Sequence, residues 1–456
     1  MKIAILGAAG VRTPLIVQAM IARQENLGLT DLALMDIDAD HLKLISLLIS
    51  PITQSPHTRF RITNTTDPFI ALSNADFVIT TFRVGGIEAR AIDERVPLEH
   101  GILGQETTGA GGFAMGLRSI PVLLEYVKLM QRVCPSAWLI NFANPAGMLT
   151  EAVIRTTGWQ RVAGICDSPS SMHRLIAAVL QAKPEEVYLD YFGLNHLGWV
   201  KSVIFENRDH LPDLLQLIKA TNNIPGLPFD ADLIVSLGMI PNEYLYYYYY
   251  QEKSVQNILR SGECRGEQIA RRNFQLFAEL KVKSLTRDIK EMQSSYQAYL
   301  AERQKSYMVR ETGRNHDFST LDPQIQPSIL DEGYAGVALD LIEALIGHVP
   351  RLQILNVPNQ GAISMMEPED VVEIPVLVSH HQLQPMAIHD IPSNCFGLMQ
   401  QVKHYEHLAI EAGIEESYSK ALLALTIHPL VGDYLLAKSI LDQYQARHQA
   451  YFPALH

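Results

Sequence analysis

The first 36 residues constrain the fold more than any other stretch. Met1 to Leu6 reads as an apolar strand, Gly7-Ala8-Ala9-Gly10 turns the chain, and Arg12-Thr13-Pro14 leads into a helix from Leu15 to about Ala22. Asp31 to Met35 is a second strand, followed at once by the acid Asp36. Strand, glycine turn, helix and strand make a βαβ unit, the opening of an α/β parallel sheet. Backbone without a Cβ can approach a pyrophosphate closely, and the N-terminus of the helix offers free N–H groups to it. Asp36 stands roughly where the 2′-hydroxyl of a ribose is met in such units. The turn is G-x-x-G and not the full G-x-G-x-x-G, so at this point a nucleotide site and a plain α/β start remain side by side.

Later segments extend the sheet. Ala75 to Thr81 is a buried strand, Trp138 to Asn144-Pro145 is another, and Arg161 to Ile165 is the next. Ligands of an open parallel sheet bind at the carboxyl edge of its strands. Topology alone therefore brings Asn144, Cys166 and Asp167 to one edge. Between these strands lie Arg90-Ala91-Ile92-Asp93-Glu94 and the stretch Gly104-Gln105-Glu106-Thr107-Thr108-Gly109-Ala110-Gly111-Gly112. The glycine density predicts a tightly turned or flexible loop, either a plain connection or a lid or phosphate cradle. Cys166, where an apolar run meets a turn, is answered by His196 in Gly193-Leu194-Asn195-His196-Leu197-Gly198. The pair is either a buried thiol and a hydrogen-bonded core imidazole, or two ligands of a divalent metal with open positions. The second arrangement suits a catalytic site, because a structural zinc site closes with four protein ligands.

Composition narrows the class. A chain of 456 residues accommodates two or three domains, or one large α/β enzyme with a second lobe. Apolar residues make up 47%, yet no run approaches the length of a bilayer span. The N-terminus reads as a strand and not a signal peptide, which predicts a cytoplasmic protein. A formal charge of −12 with no basic run argues against nucleic acid as a partner. An anionic substrate would need a local cluster of cations. Cys134, Cys166, Cys264 and Cys395 are widely spaced and form no C-x-x-C pair, so they read as free thiols.

From Tyr188 the chain resumes strands, and Leu211 to Leu227 is helical and then loop-like. The run Tyr244-Leu245-Tyr246 to Tyr250 places six tyrosines in seven residues. A helix would spread them over all faces, so most are packing or interface residues. A tyrosine becomes a base only if its pKa falls well below its usual value of about 10, as a bound cation could bring about. Arg265, Arg271 and Arg272 fall on a predicted helix. Tyr334 to about Ile346 is amphipathic and helical, Leu352 to Asn359 and Val371 to Val378 are strands, and the remaining C-terminal residues are mainly helical.

Taken in order, several of these stretches carry a resemblance. They are the G-x-x-G-V-R-T-P start, Leu34-Met35-Asp36-Ile37-Asp38, Arg90 to Glu94, Gly104 to Gly109, Asn141-Phe142-Ala143-Asn144-Pro145, Cys166-Asp167, Gly193 to His196 and Tyr244-Leu245-x-Tyr247-Tyr248. Over nearly its whole length the chain resembles glycoside hydrolase family four, the NAD- and metal-dependent glycosidases, and most of all its 6-phospho-β-glucosidase branch. The resemblance implies a Rossmann-like doubly wound parallel sheet like that of lactate and malate dehydrogenases, with a mixed α+β C-terminal domain. It implies an NAD-binding domain over 1–190 and a substrate, metal and oligomerisation domain over 191–456. It implies a cycle in which NAD⁺ oxidises the sugar at C3, the C2 proton is removed, the aglycone leaves, water adds and the hydride returns. This family is an exception to the two-carboxylate glycosidase scheme.

On the same resemblance, Gly7, Gly10, Val11, Arg12 and Asp36 hold NAD, while Cys166 and His196 hold Mn²⁺ or another divalent metal. Tyr244 is the base, Glu106 raises its reactivity, and Asp167 is the leaving-group acid. Arg90, Asn144 and Arg265 bind a phosphorylated glycoside, whose phosphate suits the guanidinium fork. A homodimer or homotetramer is implied as well. Asp167 is familiar in α-acting relatives, so a 6-phospho-α-glucosidase stays as the alternative anomer. An NAD-dependent sugar or hydroxy-acid dehydrogenase and a nucleotide-binding redox sensor are the readings from other classes.

Overall fold

The computed structural model describes residues 1–221, 227–314, 333–347 and 349–456. Thirteen strands are found among them: β1 Lys2–Leu6, β2 Asp31–Met35, β3 Arg61–Thr65, β4 Phe77–Thr80, β5 Trp138–Asn141, β6 Val162–Gly164, β7 Tyr188–Leu194, β8 Leu197–Phe205, β9 Arg208–Asp209, β10 Ile240–Pro241, β11 Arg351–Pro358, β12 Val371–Ser379 and β13 Gln382–Pro385. The first six lie parallel in the order β3-β2-β1-β4-β5-β6, which is the doubly wound order of dinucleotide-binding sheets. β4 and β5 are buried along their whole length, and β1 and β2 over all but their first residue. Helices cover both faces of such a sheet, so its central strands read as unbroken apolar runs. The edge strand β3 carries Arg61, Thr63, Asn64 and Thr65 and is half exposed, as an edge that must not recruit another chain should be.

The sheet does not stop at residue 190. β11, β12 and β13 add antiparallel beyond β6, with Asn356 opposite Gly164. The amphipathic stretch before them forms the helix Gly333–Ile346. A second, four-stranded sheet is built on the hairpin of β7 and β8, with β10 and β9 paired to β8. The turn of that hairpin is Asn195-His196, and His196 sits at φ +63. Gly193 and Gly198 face each other across it. A Cβ on Gly193 would fall 2.1 Å from the Leu197 carbonyl oxygen.

One expectation is corrected here. The stretch Gly104–Gly112 is not all loop: a 25-residue helix, Gly109–Val133, begins inside it. Its glycines serve close approach, since a Cβ on Gly111 would lie 2.1 Å from the Gln105 carbonyl oxygen and one on Gly112 2.4 Å from that of Thr107. Leu211–Thr221 is helical as expected, while the loop expected after it falls at 222–226, outside the described residues. The tyrosine run spans a 3-10 turn Glu243–Leu245, one helical turn Tyr246–Tyr249 and the start of the helix Gln251–Ser261.

The helix Gly86–Glu99, which carries Arg90 and Glu94, is held from behind by a fully buried ion pair. Arg118 donates to both carboxylate oxygens of Asp93 at 2.6 and 2.7 Å. His448 Nε2 lies 2.9 Å from Asp93 Oδ1, and Tyr444 Oη donates to the Asp93 carbonyl at 2.8 Å. The C-terminal helix Tyr434–His448 thus fixes the element that presents Arg90 to the site.

Candidate active site

A cleft of about 2340 Å³ runs along the carboxyl edge of the parallel strands. Gly7, Ala9 to Thr13, Asp36, Ile37, Arg83, Arg90, Phe277 and Arg303 are among the residues that line it. Gly7 is at φ +96, and a Cβ there would meet the Phe82 backbone nitrogen at 2.4 Å. Gly10 is exposed. The Asp36 carboxylate accepts from Ala9 N–H at 2.8 Å and from Asp38 N–H at 3.1 Å, which ties the end of β2 to the glycine turn. Tyr296 Oη donates to the Val11 carbonyl at 2.7 Å. Arg12 reaches Asp167, with 3.8 Å between Nη1 and Oδ2, so the turn and the residue after Cys166 meet at the mouth of the cleft.

Cys166 and His196 come together although 30 residues separate them: Sγ and Nε2 are 3.3 Å apart, and both residues are buried. The tautomer follows from the network around the ring. Thr107 donates its hydroxyl proton to Gln105 Oε1 at 3.0 Å, so its oxygen accepts from His196 Nδ1–H at 2.9 Å. That leaves the Nε2 lone pair directed at Cys166. Gln105 Oε1 also accepts from the N–H groups of Thr107 and Thr108, both at 2.7 Å, which locks the loop beneath the imidazole. Burial holds the imidazole neutral by lowering its pKa to about 3. Burial also raises the Cys166 thiol, helped by Glu373 and Asp167. Metal bonds of about 2.3 Å to sulfur and 2.1 Å to nitrogen put two ligands about 3.1 Å apart at a right angle and about 3.6 Å apart at the tetrahedral angle. The observed 3.3 Å lies between them. A neutral imidazole whose N–H is held by a neighbouring acceptor, and a cysteine that would give up its proton on binding, are the donor chemistry that such an ion requires.

Tyr244 stacks on this imidazole with ring centroids 3.7 Å apart and planes within 7°. Tyr307 donates to Glu243 Oε1 at 2.8 Å and lies 3.4 Å from Tyr244 Oη. Burial, then Glu243, Cys166 and Glu106, push the Tyr244 phenol up. Burial raises Glu243 to about 7. Tyr247, behind it, is buried with its ring centroid 6.0 Å from that of Tyr244. Glu106 sits in a fork of Arg83 and Arg90, at 2.5 and 2.9 Å from the same oxygen. Burial works against its charge, but Arg90, Arg83 and Arg303 outweigh it and bring Glu106 to about 2. Arg90 also donates from Nε to Glu94 at 2.8 Å. Asn144 is half-buried where β5 gives way to the helix Ala146–Thr157.

Arg265 is placed differently from the other arginines. Its guanidinium donates to Gln268 Oε1, to the Ser306 carbonyl and hydroxyl and to the Arg303 carbonyl, all within 2.9 Å. It clasps the end of the helix Ile289–Lys305, and Arg303 on that helix lines the cleft. Arg83, Arg303 and Tyr307 carry no family motif and were not foreseen, and Thr107, inside the Gly104 to Gly109 stretch, is assigned no role by the sequence. Only the fold brings them to the site.

A second cluster of donors, Glu151, Asp370 and His407, has its ligand atoms within 4.8 Å of one another. It is an ion network already neutralised by protein cations. Lys403 lies 2.6 Å from Glu151 and Arg155 2.9 Å from Asp370. The carboxylates raise His407 to about 9 despite its burial, and a protonated imidazole has no lone pair for a metal.

The family model described as "Family 4 glycosyl hydrolase" matches residues 2–182, and that of its C-terminal domain matches residues 191–431. A probable 6-phospho-beta-glucosidase of Bacillus subtilis is 31% identical, with 99% of this chain and 97% of that protein covered. The 6-phospho-beta-glucosidase of Thermotoga maritima, solved with NAD and glucose-6-phosphate, superposes with a TM-score of 0.83 at 28% identity over 99% of both chains. A 6-phospho-alpha-glucosidase from gut microorganisms, solved with NAD and Mn²⁺, does so with a TM-score of 0.83 at 26% identity over 100% and 99%.

Proposed function

The chain belongs to family 4 of the glycosyl hydrolases, and on that premise we propose that it hydrolyses the glycosidic bond of 6-phospho-β-glucosides with NAD⁺ and a divalent metal, Mn²⁺, as cofactors. The observation that carries the reading is the stack of Tyr244 on His196, with Cys166 3.3 Å from the same ring. A base, an imidazole ligand and a thiol ligand converge on one point, which a dehydrogenase that uses no metal has no need of. The B. subtilis and T. maritima relatives carry the β designation, while the α-acting relative of like fold keeps the 6-phospho-α-glucosidase as the alternative.

Each residue has a task in that reaction. Gly7 and Gly10 let the backbone of the turn approach the dinucleotide pyrophosphate closely, Val11 and Arg12 lead into the helix N-terminus and Arg12 brings a cation to it, and Asp36 faces its ribose. When bound, the nicotinamide would take up hydride from C3 of the sugar and the metal would stabilise the charge that develops on its oxygens. Cys166 and His196 would hold the ion. Tyr244 takes the C2 proton, for which its phenol must fall from the raised value that burial and the neighbouring carboxylates give it. Glu106, ionised in its arginine fork, polarises that proton transfer. Asp167, partly exposed beside Arg12, protonates the leaving oxygen. Arg90, Asn144 and Arg265 orient the phosphorylated sugar, Arg265 by way of the helix end that carries Arg303.

The division at residue 190 into cofactor-binding and substrate-binding parts is retained as functional, although both parts contribute strands to the large sheet. Cofactor and substrate are both multiply charged and do not cross membranes unaided, which supports a cytoplasmic location. Among the described residues no helix is long and apolar enough to cross a membrane. Family likeness supports assembly into a homodimer or homotetramer, to which Val282, 66% exposed on the helix Arg265–Leu285, offers an apolar contact. The test is release of p-nitrophenol from the 6-phosphorylated α- and β-glucosides and from the unphosphorylated β-glucoside. The expected outcome is turnover of the phosphorylated β-anomer only, requiring NAD⁺ and Mn²⁺ without net NADH formation. Full activity after removal of both cofactors would end the proposal.

A further inference from the structure

A single buried carboxylate links the turn that carries His196 to the turn that carries Tyr244. Glu373, 1% exposed in β12, accepts from Tyr191 Oη at 2.7 Å, from Asn356 Nδ2 at 2.9 Å and from Asn195 Nδ2 at 3.2 Å. Asn195 directly precedes His196, and its Oδ1 accepts from Ala146 N–H at 3.1 Å, beside Asn144. On the other branch, Tyr191 Oη accepts from Asn242 Nδ2 at 3.3 Å, and Asn242 Oδ1 accepts from Tyr244 N–H at 3.0 Å. The third donor, Asn356, pairs in register with Gly164, two residues before Cys166. The backbone is shaped for these contacts. A Cβ on Gly198 would stand 2.1 Å from Tyr191 Oη, and one on Gly164 would stand 2.9 Å from Asn356 Cβ.

We propose that Glu373 is a positioning residue for the reaction, holding the two metal ligands and the base in one frame through Asn195, Asn356 and the Tyr191–Asn242 relay. The proposal rests on the functional reading given above. Glu373 makes no hydrogen bond to Cys166, His196 or Tyr244; it acts through the side chains that donate to it. The two oxygens of the carboxyl group receive all three donors, whereas an amide must turn an N–H₂ toward one of them. Outer groups of this kind fix the orientation of metal ligands and set the affinity of the site.

The two branches can be cut separately. Glu373→Gln is expected to weaken Mn²⁺ binding to the full-length protein about 10- to 100-fold in a paramagnetic-resonance titration. It is also expected to lower kcat on the phosphorylated β-glucoside at saturating Mn²⁺, with a smaller change in KM. Tyr191→Phe cuts only the relay to Tyr244, so kcat falls at least about tenfold while Mn²⁺ affinity stays at the wild-type value. Asn195→Ala cuts the His196 branch, together with the bond from Ala146 N–H, leaves the relay to Tyr244 in place and lowers Mn²⁺ affinity. Amide hydrogen exchange of the protein without metal or substrate reads the same frame independently of turnover. Residues 194–197 and 242–245 should exchange faster in Glu373→Gln, with the parallel sheet unchanged. Wild-type Mn²⁺ affinity together with wild-type exchange in both turns would overturn the proposal. If Glu373→Gln does not fold, the two single-branch variants decide, and wild-type behaviour in both overturns it. An inactive wild-type protein would sink the functional reading alone, because the exchange and Mn²⁺ measurements still judge the frame.

Discussion

At the scale of residues, the site is a set of contacts that no one of its members could make alone. His196 is neutral because it is buried, has one tautomer because Thr107 has already given its proton to Gln105, and faces Cys166 for that reason. Cys166→Ser therefore removes the soft ligand from an otherwise intact pocket. It is expected to abolish measurable Mn²⁺ binding while leaving the thermal midpoint near that of wild type, as calorimetry would check. Tyr244→Phe keeps the ring stack on His196 and loses only the hydroxyl. Mn²⁺ affinity should stay unchanged while kcat falls by about 10²- to 10⁴-fold, the usual worth of a general base. Equal loss of both quantities would mean that the ring, not the phenol, is what matters. Cys166 and His196 stood out in the sequence as a candidate pair, each where an apolar run meets a turn, while their role as metal ligands and that of Tyr244 as base came from the family resemblance. Tyr307 and Glu373 did not stand out, since an isolated Tyr or Glu has no pattern until the fold gives it a neighbour, and the part of Thr107 shows only once the fold sets it against His196.

At the scale of elements, glycines decide how closely the parts of the site approach. The stretch Gly104–Gly112 reads as loop from composition, yet the glycines at 111 and 112 begin a helix whose first turn lies against its own lead-in strand of backbone. Glycine density signals both freedom and close contact, and only the tertiary neighbours distinguish them. Gly111→Ala would drive a Cβ to 2.1 Å from the carbonyl of Gln105, the residue whose side chain orders Thr107. The expected result is a loss of stability of about 1–3 kcal/mol, typical of overpacking, accompanied by weaker Mn²⁺ binding. Chemical denaturation and metal titration of the same variant check the two effects. The βαβ unit, by contrast, was legible almost to the residue. Its strands are buried on both faces and must be apolar throughout, and Gly7 admits no side chain next to Phe82.

At the scale of the whole molecule, β11 to β13 explain why sequence alone separates the chain into two halves that the sheet reunites. β11 and β12 were foreseen as strands, but which sheet they join depends on long-range pairing that local patterns do not encode. The short, polar, exposed edge β13 gave no signal at all. The join is secured by the network of Glu151, Arg155, Asp370, Lys403 and His407, which ties the helices Ala146–Thr157 and Ser393–Glu415 to the start of β12. His407 is raised from 6.5 to about 9 in the folded state, so its contribution to stability is complete below the lower value and lost as pH climbs through the upper one. The thermal midpoint should decline between those values, and the decline should flatten in His407→Gln. The central claim is that this enzyme breaks a glycosidic bond by first removing a C–H proton. It is tested most directly with a phosphorylated β-glucoside deuterated at C2. Slower turnover than the protiated substrate, with the label exchanged for solvent hydrogen in the product, is the predicted result; equal rates with the label fully retained would contradict the account.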